Sequence, residues 1–227
     1  MAPYIVKQSF PLLLSGAAII VYQRIDQVMI GNMISKESVG YFATAGKFLD
    51  VVLYIPTILV QTITPLLVQW KSENRNKYEL MSQRFINIIV WLSILMALFV
   101  SFLAYWLIRY TYGVMYLAAV PILQIIAWKV VGMALSSSGG QLIIIEKKQK
   151  YAVIRNLCGC MVCIMLNLIF IPRYGAVGSA IVTICTVMTS GYLANSFIPP
   201  YRKFFKMETI AIFTGWKDLL YIKSFFK

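Results

Sequence analysis

Histidine is absent from the 227-residue sequence, and aspartate and glutamate together number only eight. Without imidazole, the chain lacks the side chain that most often serves as a general base near neutral pH and as a ligand for transition metals. The sequence also shows no loop with paired carboxylates and no glycine-rich loop of the kind that cradles phosphate. These absences predict a protein that is not an enzyme and that uses no metal ion or cofactor.

Cysteine is scarce too, with four residues, three of them in the pattern Cys158-x-Cys160-x-x-Cys163. One interpretation of this clustering is a metal or redox site. On a helix, however, Cys158 and Cys160 point about 200° apart, and no other type of ligand accompanies them. We therefore interpret the cysteines as small residues inside an apolar helix.

Charged residues make up only 13% of the chain, whereas apolar residues make up 60% and the mean hydropathy is +0.76. A soluble domain averages about 25% charged residues, so the composition predicts an integral membrane protein. The net charge of +13 does not indicate a nucleic-acid partner, because the basic residues are concentrated in particular connections, as membrane topology requires.

Six stretches are apolar and long enough to cross a bilayer, for which about 20 helical residues are needed. Residues 1–200 are therefore expected to form an all-α integral membrane fold with six transmembrane helices. A polar loop is expected over residues 70–84, a basic loop over residues 146–150, and a turn over residues 172–175, where the sequence is Pro-Arg-Tyr-Gly. The spans are predicted near 10–32, 41–66, 85–108, 114–138, 152–171 and 175–197.

The tail, residues 201–227, alternates aromatic and basic side chains and is too short and too polar to span the membrane. It is predicted to form an amphipathic helix on the anionic cytoplasmic leaflet, with docking of a partner as the alternative. Fifteen of the 21 basic residues lie in the termini and in one set of connections, and four lie in the other set. Because the basic set faces the cytoplasm, both termini are expected there.

Four ionisable side chains fall in the outer half of the first two spans. At about 1.5 Å of rise per residue, Arg24 and Asp50 share one depth, and Asp26 and Lys47 share another. Each pair can therefore neutralise itself between the two helices, which offsets the cost of burying charge in a membrane. The alternative is that this layer faces a hydrated cavity used in transport, with Gln23 extending its polar lining.

Lys129 lies near the middle of the fourth span, and no acidic residue is predicted at its depth. A lone ammonium group at that depth requires an anion or water. Lys129 is therefore the best candidate for contact with an anionic substrate group, and snorkelling or an unseen partner is the alternative. The same span carries the small residues Gly132, Ser136 and Gly140, a spacing that favours close approach of another helix.

Several motifs together resemble one family. The stretch Arg24-Ile-Asp-Gln-Val-Met-Ile-Gly31, the stretch Val39-Gly-Tyr-Phe-Ala-Thr-Ala45, and Asn167 to Ile181 around Pro172-Arg-Tyr-Gly175 resemble the second half of polysaccharide flippases. These are Wzx-type O-antigen and repeat-unit transporters of the multidrug/oligosaccharidyl-lipid/polysaccharide exporter superfamily. The resemblance implies one lobe of a twelve-helix transporter. It also implies that Arg24, Asp26 and Asp50 occupy positions that are often polar or charged in the family.

The resemblance further implies a function. Such proteins flip undecaprenyl-diphosphate-linked oligosaccharides across the bacterial cytoplasmic (inner) membrane for surface polysaccharide and lipopolysaccharide synthesis. The expected partners are this lipid-linked substrate, membrane lipids, and either a missing N-terminal lobe or a second copy of the chain. A truncated or split product, a dimerising half-transporter and a domain excerpt are all compatible with the match to one lobe. The alternative functions are a drug/cation antiporter lobe and a membrane scaffold that does not transport.

Overall fold

Long helices connected by short joints make up residues 24–219, which are the residues that the computed structural model describes. Helix α1 covers residues 24–33 of the described chain. The remaining helices are α2 (Lys36–Glu73), α3 (Arg75–Tyr112), α4 (Ala119–Ile126), α5 (Lys129–Ile145), α6 (Ala152–Met188), α7 (Ala194–Phe197) and α8 (Arg202–Thr214), with a π-helical segment over Thr189–Leu193.

The joint between α2 and α3 differs from the sequence-based prediction. Residues 70–84 were expected to form a polar loop, but α2 continues to Glu73 and α3 begins at Arg75. The side chain of Asn74 accepts hydrogen bonds from the backbone N–H groups of Asn76 and Lys77 and so caps α3. The polar run is compatible with helix ends that extend beyond the apolar part of each span, so a loop was the wrong interpretation.

The fourth predicted span is interrupted near its middle. Helix α4 ends at Ile126 and α5 begins at Lys129. The backbone N–H of Trp128 donates to the carbonyl of Ile125 at 3.1 Å, and that of Val130 donates to Ala127 at 3.1 Å. These i→i−3 bonds are tighter than those of an α-helix, and such a stretch inside a long helix often marks a functional hinge. The interruption places Lys129 in the first turn of α5.

Helix α6 folds back on itself at Gly175, whose φ of 63° and ψ of −147° are not helical. A Cβ added to Gly178 would lie 2.5 Å from the carbonyl oxygen of Phe170, and one added to Gly159 would lie 2.7 Å from Cβ of Ser190. Residues on either side of Gly175 therefore lie next to each other, and α6 with the following residues forms an antiparallel hairpin. This agrees with the turn expected over residues 172–175.

Four helices within residues 24–219 are long and apolar enough to cross a membrane: Lys36–Glu73, Arg75–Tyr112, Ala119–Ile145 and Gln149–Phe197. The last of these is the helix that contains the hairpin at Gly175. The first predicted span, 10–32, lies mostly outside the described residues. The described chain is thus all-α, as expected, with four candidate membrane helices.

Apolar side chains form two separate cores, one toward each end of the long helices. One core joins residues 42–49 of α2 to residues 100–108 of α3, to α4 and to the hairpin turn. The other joins residues 60–67 of α2 to the first half of α3 and to α5. Helix α8 contributes Phe204, Met207 and Ala211 to this second core. Helix α8 therefore packs one face on the lobe, whereas residues 220–227 of the tail lie outside the described residues, and contact of the tail with the cytoplasmic leaflet stays a prediction.

Small residues allow α5 and the π-helical segment to approach closely. A Cβ added to Gly191 would lie 2.7 Å from Cβ of Ser136, and one added to Gly132 would lie 2.9 Å from a methyl group of Val187. Gly132 and Ser136 belong to the small-residue pattern found in the sequence. Their neighbour is a segment of the same lobe.

Candidate functional site

A cavity of about 300 Å³ opens between α1, α2, the α4–α5 joint and the second arm of the α6 hairpin. Its wall combines apolar side chains with an unusual number of charged and polar ones for a membrane protein. The charged and polar members are Arg24, Asp26, Gln27, Lys47, Asp50, Lys129 and Thr183.

Five of the six residues predicted as a site therefore come together in this cavity: Arg24, Asp26, Lys47, Asp50 and Lys129. The sixth, Gln23, lies outside the described residues. The five residues thus line one cavity, and a role of this cavity in transport stays a prediction.

Asp26 is almost fully buried, with 2% of its surface exposed, and its carboxylate accepts three hydrogen bonds. The amide of Asn167 donates to Oδ1 at 2.6 Å, and the thiol of Cys163 donates to the same oxygen at 3.4 Å. The hydroxyl of Thr183 donates to Oδ2 at 2.8 Å. The carboxylate thus ties α1 to both arms of the hairpin, and these bonds satisfy a charge that would otherwise be costly to bury.

The position of these partners follows from the hairpin. Asn167 precedes Gly175 by eight residues and Thr183 follows it by eight, so the two arms present them at the same depth. The carbonyl of Ser179 also lies 2.9 Å from the Thr183 hydroxyl, so the single hydroxyl proton is shared between this carbonyl and Asp26. A carboxylate approached by both arms of a hairpin is sensitive to any change in the distance between those arms.

Oxygen atoms near Asp26 give the site a further chemical property. The Oδ1 atom of Asn167 is buried and accepts no hydrogen bond from the residues described. The amide nitrogen of Asn167 and the hydroxyl of Thr183 face the carboxylate of Asp26, which is the charged group among these three side chains. An ionised carboxyl only accepts hydrogen bonds, whereas a protonated one also donates, so the protonation state of Asp26 decides how it can bind these partners.

The pairing of charges differs from the prediction. Among residues 24–219, no ion pair joins Arg24 to Asp50 or Asp26 to Lys47. Arg24, Lys47 and Asp50 are instead exposed at the cavity. The rise per residue estimates the depth of a side chain, but it does not report how far each helix is rotated about its axis. Asp26 faces the α6 hairpin and therefore does not pair with Lys47.

Lys129 was expected to have no acidic residue at its depth, and the structure corrects this expectation. Asp26 and Asp50 line the same cavity, although within residues 24–219 no carboxylate forms an ion pair with the Lys129 ammonium. Lys129 is partly exposed to the cavity and stands in the first turn of α5.

The charges at the cavity sum to a slight positive excess. Three cationic side chains, Arg24, Lys47 and Lys129, face two acidic ones, Asp26 and Asp50. Asp26 is already engaged by three donors, so the accessible part of the wall is more basic than this balance suggests. A cavity with this lining attracts an anionic group.

Cys163, Asn167 and Thr183 were not identified from the sequence as site residues. Asn167 and Thr183 did carry a signal, because they are polar residues in apolar spans placed symmetrically about the predicted turn at Gly175. Cys163 carried none beyond its place in the cysteine cluster. No group of three or more His, Cys, Asp or Glu side chains that could hold a metal ion occurs among residues 24–219.

Comparison with known proteins gives two matches. The model of a family described as "Polysaccharide biosynthesis protein" matches residues 2–121. Among solved structures, the fold is similar to lipid II flippase MurJ in an inward closed conformation, with a TM-score of 0.71 and 17% sequence identity. No curated protein matches the chain.

The structural match covers 94% of this chain and 47% of the MurJ chain, so the chain spans about half the length of that flippase. At this identity the likeness concerns the fold. The family description and the fold both agree with the resemblance to polysaccharide flippases drawn from the sequence motifs.

Proposed function

Because the chain belongs to the family of polysaccharide biosynthesis proteins, we propose that it is one lobe of a transporter that flips a lipid-linked oligosaccharide across the bacterial cytoplasmic membrane. The observation that carries this proposal is the charged cavity, in which Arg24, Lys47 and Lys129 face a common space inside an otherwise apolar helical lobe. The likeness of the fold to a lipid II flippase supports it.

The substrate that suits this cavity is an undecaprenyl-diphosphate-linked oligosaccharide used for surface polysaccharide. A diphosphate is a compact polyanion, and lysine and arginine side chains bind phosphate oxygens through charge-assisted hydrogen bonds. Lys129 is proposed as the central residue of this role, because it is less exposed than Arg24 and Lys47 and no carboxylate among residues 24–219 forms an ion pair with it. Arg24 and Lys47 attract the same diphosphate from the wall of the cavity. Gln23 is proposed to extend the polar lining of that wall.

Asp26 is proposed to couple transport to an ion gradient. Its carboxylate joins α1 to both arms of the α6 hairpin, and this carboxylate is proposed to bind a proton or a monovalent cation. Binding of that ion changes the charge at the point where three segments meet. A ligand shifts a conformational equilibrium when it has different affinities for the two states, and this arrangement provides such a difference.

The complete transporter is proposed to contain two lobes. This chain supplies six spans, of which the first crosses near residues 10–32 and the last two are the arms of the hairpin, and both termini are cytoplasmic. A missing N-terminal lobe or a second copy of the chain supplies the other half of a twelve-helix assembly. A drug/cation antiporter is a poorer fit, because cationic cargo requires an acidic cavity and this one has a cationic excess.

Binding of defined lipids tests the proposed function. The full chain in nanodiscs is titrated with polyisoprenyl diphosphate, with the neutral polyisoprenol of the same length, and with a lipophilic drug cation, and complexes are counted by native mass spectrometry. We expect the diphosphate to bind most tightly. Equal binding of diphosphate and alcohol, or preferential binding of the drug cation, contradicts the proposal.

A further inference from the structure

Helix α2 presents two chemically different faces outside the core. Lys47, Asp50, Tyr54 and Gln61 recur at i, i+3, i+7 and i+14 and are all exposed, so they form a polar stripe along one side of the helix. Roughly a third of a turn further round, Phe48, Val51, Val52 and Ile55 form an apolar face. A helix in a membrane that faced only lipid would have no use for such a stripe.

The apolar face of α2 forms one wall of a groove whose other wall is α3. The groove has a volume of about 800 Å³, and all ten side chains that line it are apolar. On α3 these residues extend from Leu95 to Leu107. At about 1.5 Å per residue the groove is roughly 18 Å long, which is more than half of the roughly 30 Å thickness of the hydrocarbon core.

The groove connects to the charged cavity through shared residues. Lys47 lines the cavity and also lines a second opening, of about 360 Å³, formed with Phe48, Val51, Thr111 and Tyr112. Phe48 and Val51 in turn line the groove. The path from cavity to groove therefore passes over one turn of α2, with an exposed lysine at the junction.

An occupant of both spaces needs an anionic group beside a long hydrocarbon chain. The cavity offers cationic side chains and the groove offers none, so a membrane helix from another subunit would fill the groove but leave Lys47 without an anion. We propose that the α2–α3 groove holds the hydrocarbon chain of the same lipid-linked substrate whose diphosphate enters the cavity. This inference rests on the proposed function and adds a binding site for the polyisoprenyl chain.

Under this proposal α2 separates the two parts of the substrate. The headgroup follows the polar stripe and the cavity, while the chain stays in the groove on the adjacent face. Lys47 lies where the diphosphate meets the chain. Chain length then contributes to recognition, because the groove contacts the chain over several isoprene units.

Two photoreactive polyisoprenyl diphosphates test the proposal on the full chain in nanodiscs of phosphatidylethanolamine and phosphatidylglycerol. One probe carries a diazirine within the hydrocarbon chain, and the other carries it next to the diphosphate. We expect the chain probe to label peptides that contain Val51 and Phe99, and the head probe to label residues of the cavity. Unlabelled polyisoprenyl diphosphate should compete with both probes, and excess phosphatidylglycerol should compete with neither.

A matched pair of variants separates the effect of filling the groove from the general effect of a larger side chain. Val51 is 67% exposed in the groove, and Leu98 is 49% exposed on α3 but outside it. Val51→Trp fills the groove and should reduce labelling by the chain probe roughly tenfold, which corresponds to about 1.4 kcal/mol of binding free energy. Leu98→Trp should leave labelling unchanged. Because both probes carry the hydrocarbon chain, the head probe should also bind Val51→Trp about tenfold more weakly, and labelling of the cavity at a tenfold higher probe concentration shows that the cavity is intact.

Four outcomes overturn the inference. Equal labelling of the groove and of Phe102, which is 81% exposed away from it, indicates ordinary surrounding lipid. Competition by phosphatidylglycerol also indicates that the groove holds ordinary surrounding lipid. Crosslinks from the groove to a protein segment indicate that a packed helix occupies it. If the head probe labels the cavity while the chain probe fails, only this inference is wrong, whereas failure of both probes contradicts the proposed function as well.

Discussion

The side-chain amide of Asn167 donates a 2.6 Å hydrogen bond to Oδ1 of Asp26 and thereby joins the first arm of the α6 hairpin to α1. Thr183 on the second arm binds the other carboxylate oxygen at 2.8 Å. One buried carboxylate thus connects three helical segments. Protonation of this group, or a cation bound to it, changes the interaction that holds those segments together.

Asp26→Asn should uncouple transport from its driving ion. The amide keeps the size of the carboxylate but loses the charge, so the fold should persist while export in the complete transporter falls about tenfold, equivalent to about 1.4 kcal/mol. The assay is restoration of surface polysaccharide over a series of pH values and sodium concentrations. Asp50→Asn is the matched control, because Asp50 lines the same cavity but is exposed. Unchanged ion dependence in Asp26→Asn contradicts the coupling role.

Lys129→Ala should weaken binding of polyisoprenyl diphosphate. Hydrogen bonds to charged groups contribute about 1.5–3 kcal/mol, so the dissociation constant should rise by roughly 10- to 150-fold. Lys129→Arg should retain most of the affinity, since it preserves the charge. The measurement is native mass spectrometry or calorimetry in nanodiscs. Lys77→Ala removes an exposed lysine from the first turn of α3 and should have no effect. Wild-type affinity in Lys129→Ala contradicts the assignment.

Asp26 illustrates which parts of the site could be predicted from the sequence. The rise per residue was sufficient to place Arg24, Asp26, Lys47 and Asp50 in one layer, and the structure brings them to one cavity. The partner predicted for Asp26 was wrong, because the rise per residue specifies the depth of a side chain but not the rotation of a helix about its axis. Combining the turn predicted at Gly175 with symmetric spacing would have indicated Asn167 and Thr183.

Apolar runs and turn residues were sufficient to predict the fold class and most of the joints between helices. The interruption at residues 127–128 could not be predicted, because Ala127 and Trp128 offer neither glycine nor proline as a local signal. The expected loop over 70–84 failed for the opposite reason. Its polar residues resemble a loop, but Asn74 alone suffices to end one helix and cap the next.

Gly191→Ala should destabilise the lobe. The new Cβ would lie 2.7 Å from Cβ of Ser136 and 3.3 Å from the carbonyl oxygen of Gly132, so α5 and the π-helical segment must separate. Overpacking of this kind costs about 1–3 kcal/mol. Gly40→Ala is the control, because a Cβ there meets nothing within 4 Å and alanine favours a helix by about 1 kcal/mol. Thermal unfolding in detergent should show a lower midpoint for Gly191→Ala only, and equal midpoints would contradict the close contact.

Glu208 provides a pH-dependent contribution to stability on α8, which follows the last of the long apolar helices. The residue is fully buried, and the amide of Asn195 donates to its two carboxylate oxygens at 3.2 and 3.1 Å. Burial, opposed by the Asn195 hydrogen bond and by the charge of Arg155, raises the pKa of Glu208 from 4.5 to about 8. Between these values the folded chain holds a proton at Glu208 that the unfolded chain has lost.

The sign of the effect follows from this proton balance. Where the folded state binds more protons, stability falls as pH rises, here by up to about 1.4 kcal/mol per pH unit. The contribution of Glu208 is therefore complete below pH 4.5 and is lost as pH approaches about 8. Glu208→Gln keeps an uncharged side chain at every pH. It should match the wild type near pH 5 and exceed its thermal midpoint near pH 8.

Glu73→Gln controls for the loss of an acidic residue as such, because Glu73 is exposed at the end of α2. Its unfolding midpoint should follow that of the wild type from pH 5 to pH 8. If Glu208→Gln also follows the wild type over this range, the carboxyl of Glu208 is ionised in the folded chain, and the docking of α8 on α5 does not depend on its protonation.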